Sequence, residues 1–281
     1  MNCRKLVGMF VLGIGGLGLA ASRLLSFQVD QNGLKGMAKA WIAHQGEELG
    51  IPAASQTKIG VLADHGIENV TPLLSQIYQT MGEIEKDQAS KQSEKVLASH
   101  VDEIFRDLNG LVDVKDRLVE EARQSMTAKE RAALIAKISS KVHEKLGTAE
   151  DIDQLGDAAR TLHRAHLRGF LHLDDARMKA LDAAMKPLVA QHKAERKARI
   201  ELAGKIRDAV AANASDDKLQ PLMAEWEKLT AKGSEIAHAH LAAARKFFTT
   251  TELAGMASHA HERIEKGLRF VALIQKFHPV N

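Results

Sequence analysis

The chain has 281 residues, 45% of them hydrophobic but only 4% aromatic, and 39 basic side chains against 36 acidic ones give a formal charge of +3. That near balance leaves no electrostatic footprint for nucleic acid, and a single cysteine, Cys3, excludes a disulfide framework. Five prolines among abundant Ala, Leu, Lys, Glu and Arg point instead to an all-α protein with few turns and a thin core of Leu, Ile, Met and Ala.

Residues 1–27 read as a secretory signal peptide. Arg4 and Lys5 precede an uncharged apolar run, Leu6 to Ala20, which ends among the small residues Gly18, Ala20, Ala21 and Ser22. The run is shorter than the roughly 20 residues of a membrane-spanning helix. Cleavage after Ala20 is expected, with retention as an N-terminal anchor the alternative. Either way the body is expected to be periplasmic, touching membrane only through an uncleaved N-terminus. Without Arg4 and Lys5, 37 basic residues face 36 acidic ones.

Dense glycine and Pro52 mark residues 28–66 as a loosely ordered lead segment with one apolar helical stretch near Met37 to Ile42. From Thr71 the pattern turns to helical periodicity. Leu73, Ile77, Met81 and Ile84 form one stripe, with Val70-Thr71-Pro72 as its start. Leu97, Val101, Ile104 and Leu108 form a second, ending at Asn109 and Gly110; Val114 and Leu118 begin a third that stops at Ser125. Thr127 opens a helix capped by Gly147, completing a first unit over 67–147. In a second unit over 148–281, a linking helix runs from Thr148 to His166, and Asp174 opens a long helix through Leu181, Leu202 and Val210. After the turn at Asn213 to Asp216, a helix carries Leu219, Trp226 and Ile236, breaks near Phe248, and gives way to a last one with Leu253 and Ile264.

The most specific local signal is a repeated helix start. Met126-Thr127-Ala128-Lys129-Glu130 and Phe248-Thr249-Thr250-Thr251-Glu252 place threonine three residues before glutamate, a spacing at which hydroxyl and carboxylate each satisfy an orphan amide. Leu173-Asp174-Asp175-Ala176-Arg177 is a looser version. An apolar residue, a cap and a polar N3 residue, repeated across a helical hairpin behind a secretory signal, resembles the paired L-T-x-x-Q motifs of the Spy/CpxP family of periplasmic stress proteins. Residues 171–267 look like one unit, and residues 70–146, with VTPLL and MTAKE in the motif places, like a more diverged second. Glu130, Glu252 and Arg177 stand where the family has glutamine, Asp174 where it has threonine, and Leu74 at the N3 place of the first copy. The resemblance implies long bent helical hairpins, two units in tandem, and an ATP-independent chaperone or envelope-stress role, its partners partly unfolded envelope proteins. Because the family pairs such units into a cradle, two units in one chain could form that cradle internally, without a second molecule; a homodimer is a further expectation.

Two surfaces are candidates. On the Asp174 helix the row Leu181, Met185, Leu188, His192, Glu195, Arg199, Leu202, Ile206 turns polar in its middle, beside Lys186, Lys193 and Lys197. Met185, Leu188, His192, Lys193, Arg196 and Lys197 are the client-binding candidates, apolar patches with a basic rim. The competing reading is a metal-binding sensor or resistance protein. Nine of the thirteen histidines fall between His163 and His278. His163 and His166 have the three-residue spacing that aims two imidazoles at one ion, and His240, His259 and His261 flank the break at Phe248. The chaperone reading requires no cofactor; for the metal-binding one the resemblance implies zinc, nickel or cobalt, since relatives of the family respond to those ions. Histidines this numerous also suggest a pH-sensing rim. No phosphate loop, H-E-x-x-H helix or G-x-S-x-G elbow occurs, so a binding protein is expected rather than an enzyme.

Overall fold

The structure is a computed structural model and describes residues 31–48, 50–147 and 149–277. The expected signal and the start of the lead segment lie outside the described residues. Among those described there are eight helices and no strand, an all-α fold. They are α1 Gln31–Glu48, α2 Ala53–Ala89, α3 Glu94–Ser125, α4 Ala128–Leu146, α5 Ala149–Leu171, α6 Asp175–Ala211, α7 Asp216–Phe247 and α8 Thr250–Phe277. None is long and apolar enough to cross a membrane.

Short connections join them, and their chemistry is mostly left-handed C-capping. Gly50, Lys91, His172 and Asn213 adopt φ of 58°, 55°, 52° and 52° just past four helix ends. In each the following amide reaches back to the last turn: Ile51 to Gly46 O at 2.7 Å, Gln92 to Asp87 O at 2.9 Å, Leu173 to Arg168 O at 3.1 Å and Ala214 to Ala209 O at 3.0 Å. This satisfies carbonyls that a helix end otherwise strands.

The chain forms two compact units, residues 1–118 with 248–281, and residues 119–247. This division differs from the expected one at 147/148, because α4 and α8 exchange places. In the first unit α2 is the hub. Helix α1 lies antiparallel to it, with Lys39 Nζ 2.9 Å from Asp64 Oδ2. Helix α3 pairs with it through Gln76 Nε2, which donates to Glu103 Oε1 at 2.8 Å. Helix α8 returns to it, with His261 Nδ1 2.7 Å from Glu85 Oε2. Leu74, Ile77 and Ile84 of α2, Val101, Ile104 and Val112 of α3, and Leu253, Ala257 and Ile264 of α8 are buried.

In the second unit α4 packs on the antiparallel pair α6 and α7. Ala128 and Ala132 meet Leu202, Ile206, Leu219 and Met223 in one buried cluster, rimmed by Ile135, Leu222, Trp226 and Leu229. Two alanines on α4 let three helices approach closely at this point. Arg131 is buried beside the cluster; its Nη1 donates to the Met126 carbonyl at 2.7 Å, and its Nη2 lies 3.1 Å from Glu227 of α7.

Three sequence expectations give way here. The lead segment is helical over its described part, in α1 and the first turns of α2, where Gly36 and Gly60 sit within the helices with open space beside them and Gly66 gives room to a neighbour: a Cβ there would come 3.2 Å from the Leu118 side chain. Thr71-Pro72 starts no helix, since α2 runs through it and the Thr71 hydroxyl bonds back to the Ile67 carbonyl at 2.7 Å. Asn109-Gly110 ends no helix either. Gly110 faces Leu73, whose methyls would lie 3.3 Å from an added Cβ, and the Asn109 amide donates to the Phe105 carbonyl at 2.7 Å.

Candidate binding surface and the histidines

Three helices open on side-chain caps. At α4 the Thr127 hydroxyl accepts from the Glu130 amide at 3.2 Å, while Glu130 Oε2 accepts from the Thr127 amide at 2.8 Å. At α8 Thr249 and Glu252 make the same pair of bonds at 3.2 and 2.7 Å. At α6 Asp174 Oδ1 accepts from the Arg177 amide at 2.7 Å. The preceding apolar residues Met126, Leu173 and Phe248 are all buried, and so are Met178 and Leu253 four places after their caps, the arrangement of a hydrophobic staple. A third donor of the α4 start, the Lys129 amide, goes to Asp216 Oδ1 of the α6–α7 turn at 3.0 Å, so that turn is tied to α4.

The cap at Asp174 sets the register of α6 and hence of the client-binding candidates. Met185, Leu188 and Arg196 are half-buried, whereas His192, Lys193 and Lys197 are exposed. Lys193 Nζ lies 3.4 Å from Asp157 of α5, and Lys197 lies 4.0 Å from Glu201. The surface is thus a narrow apolar strip with cations along its rim, two of them tethered to carboxylates. In the same row Leu181, Leu202 and Ile206 are buried. So is Glu195, with Arg199 Nη2 2.5 Å away. The sequence row showed Glu195 as a polar interruption, without showing that it faces inward.

The metal candidates are distributed differently. The side chains of His163 and His166 lie outside the described residues. His240 is in the second unit, where its Nδ1–H donates to the Ile236 carbonyl at 2.9 Å and its ring stands edge-on to His192 at 6.4 Å. His259 and His261 are in the first unit on α8. His261 rests on the Tyr78 ring, centroids 4.7 Å apart, bonds Glu85 through Nδ1, and turns Nε2 toward Gly82. Tyr78 donates its hydroxyl to Glu265, one turn along α8. Its phenol is pushed up to about 12, first by loss of solvent and then by that carboxylate. Among the described residues no group of three His, Cys, Asp or Glu side chains is arranged to hold a metal ion.

One histidine that sequence spacing passed over is equally engaged. His100 of α3 has Nε2 3.2 Å from Asp87 and Nδ1 3.5 Å from Glu83, both on α2. Spacing along one helix carries no trace of such a contact, since its partners come from another. Compared with family models, with curated proteins and with solved structures, the chain matches none.

Proposed function

We propose that the protein is a periplasmic, ATP-independent binding protein of the Spy/CpxP kind, which holds partly unfolded envelope proteins on the α6 surface rather than catalysing a reaction. The observation that carries this reading is the strip formed by half-buried Met185 and Leu188 beside exposed Lys193 and Lys197. Apolar atoms there remain accessible to an extended apolar segment, while the ammonium groups favour acidic stretches of the same client. Thioether and lysyl side chains adapt to many shapes, which suits weak and promiscuous contact. The capped starts of α4, α6 and α8, the last two also stapled, support the likeness to that family's motifs, and the expected N-terminal signal supports export.

The test is suppression of aggregation of a denatured client by the purified protein, with and without a chelator. Protection that ignores chelator and falls several-fold in Met185→Ser/Leu188→Ser supports the reading. Absence of protection at equimolar protein overturns it. Protection or stability that collapses on chelation instead assigns the metal-binding role, with His163→Ala/His166→Ala the first variant to try. N-terminal sequencing of the protein recovered from a periplasmic fraction checks export: a start near Ala21 is expected.

A further inference from the structure

Helices α6 and α7 are anchored at both ends and polar between. At one end Arg177 Nη2 donates to the Phe247 carbonyl at 3.2 Å, with its guanidinium 4.6 Å above the Phe247 ring. At the other, Leu202, Ile206, Leu219 and Met223 are locked against α4. Midway, Glu195 has a side chain 0% exposed, and its Oε2 has no hydrogen-bond partner. Arg199 supplies charge at 2.5 Å and His192 Nδ1 lies 4.0 Å away. Across the seam on α7 are Gly233, where an added Cβ would stand 3.5 Å from Glu195 Oε1, and buried Thr230 and Ser234, whose hydroxyls bond carbonyls of their own helix.

A dehydrated carboxylate repays its lost hydration only when charge and hydrogen bonds are both supplied; this seam supplies the Arg199 charge at Oε1 and nothing at Oε2. Pro187, inside α6 two turns before Glu195, removes a helical hydrogen bond. The middle of the pair is therefore where local opening costs least. At its rim sits His192, 48% exposed and edge-on to His240. The charged and titratable groups facing it are Glu195, Arg196 and Arg199 from α6 and His240 from α7, while the neighbouring Lys193 is drawn to Asp157 of α5.

We propose that Glu195, His192 and His240 form an acid-sensitive latch: charging His192 beside Arg196, Arg199 and the His240 ring opens the centre of the α6–α7 pair about Pro187 and bares Leu188 and Ile236. Burial holds the His192 imidazole below its ordinary value, Arg196, His240 and Arg199 press the same way, and Glu195 opposes them. A base depressed in the closed state binds fewer protons there than in the open state. Closure is therefore full above the ordinary imidazole value and weakens as pH falls below it. Each proton taken up changes the opening constant by at most about tenfold per pH unit, and a half-exposed ring delivers less.

Use of the bared surface for clients rests on the function proposed above; the latch does not. Hydrogen exchange of the full chain at about pH 7.5 and about pH 5.5, corrected for intrinsic exchange, tests it directly. The expected result is a several-fold greater loss of protection in segments 185–199 and 230–242 than in 202–223, abolished in His192→Gln/His240→Gln. If the double variant loses helicity, His192→Gln alone at its half-exposed position carries the test. Uniform loss across α6 and α7, or an undiminished acid response in the variant, overturns the latch. Client protection measured at the same two pH values is separate: acid opening without a gain in protection keeps the latch and overturns its use for clients.

Discussion

Gly82 and His261 are a matched pair, and their coupling tests the docking of α8 on α2 at one atom. A methyl at position 82 would stand 3.1 Å from His261 Nε2 and 3.4 Å from Cε1. Gly82→Ala gains about 1 kcal/mol of helix propensity. It also drives the ring off its seat, which loses the bond to Glu85, about 1 kcal/mol for a pair open to solvent on one side, and the ring contact with Tyr78, about 0.5–1.5 kcal/mol. The losses exceed the gain, so the net expectation is destabilisation by about 0.5–1.5 kcal/mol. Gly255 is the control: it lies in α8 with nothing within 4 Å of an added Cβ, and Gly255→Ala should stabilise by up to about 1 kcal/mol. In a His261→Ala background Gly82→Ala should become stabilising as well, a coupling of about 1.5–2.5 kcal/mol in the double-mutant cycle. Urea titrations followed by helical circular dichroism give the free energies, and hydrogen exchange in α2 and α8 locates the change. If Gly82→Ala stabilises as much as Gly255→Ala in the parent protein, His261 is not seated at Gly82 and the account of this contact is wrong.

Thr127→Ala and Thr249→Ala should each cost about 1 kcal/mol, whereas the corresponding Ser variants should cost a few tenths, because the hydroxyl acceptor survives; equal losses from Ala and Ser in urea titrations would assign the effect to the threonine methyl instead. Tyr78 is the chain's single tyrosine, so its titration is read cleanly by phenolate absorbance. In the folded protein the midpoint should lie near 12, moving back toward about 10 in urea. A phenol raised on folding favours the native state below its unfolded value, so the first unit should lose stability between about pH 10 and 12, and Glu265→Gln should shrink the shift. A folded-state midpoint near 10 would remove the Tyr78–Glu265 contact from the account.

What the sequence disclosed follows from how far each interaction reaches along the chain. The starts of α4, α6 and α8 are decided within six residues, by an apolar residue before the cap, a cap at Thr127, Asp174 or Thr249, its N3 partner, and at α6 and α8 an apolar residue at N4; composition and local order are enough to see them. Asn213 is legible for the same reason, as an asparagine past a helix end. Glycine is where local reading failed. Gly66 and Gly110 are residues a turn would use, yet each lies inside a helix where another helix approaches, facing Leu118 and Leu73 respectively. In each case the deciding atom belongs to a side chain at least 37 residues away, the nearest being Leu73 to Gly110. Lys91 and His172, left-handed without being glycine or asparagine, were likewise silent.

The same limit governs the candidate surface. A heptad row names the residues that share one side of α6 but not which helix covers them, and coverage is what separates Met185 and Leu188, half open, from Glu195, sealed against α7 three turns later. A carboxylate in such a row reads from sequence as the point where a helix turns to solvent. Here it is a point where the helix is enclosed, because Gly233 and Ser234 on α7 leave room for it and Arg199 supplies its charge. Apolar residues at both 195 and 199 would have continued the apolar row without loss, since apolar replacement of a whole buried ion pair is commonly neutral or stabilising. A sequence that keeps the ion pair there gives up stability in the middle of the α6–α7 hairpin while securing both ends, and a helix pair built that way is one whose centre can come apart before its anchors do.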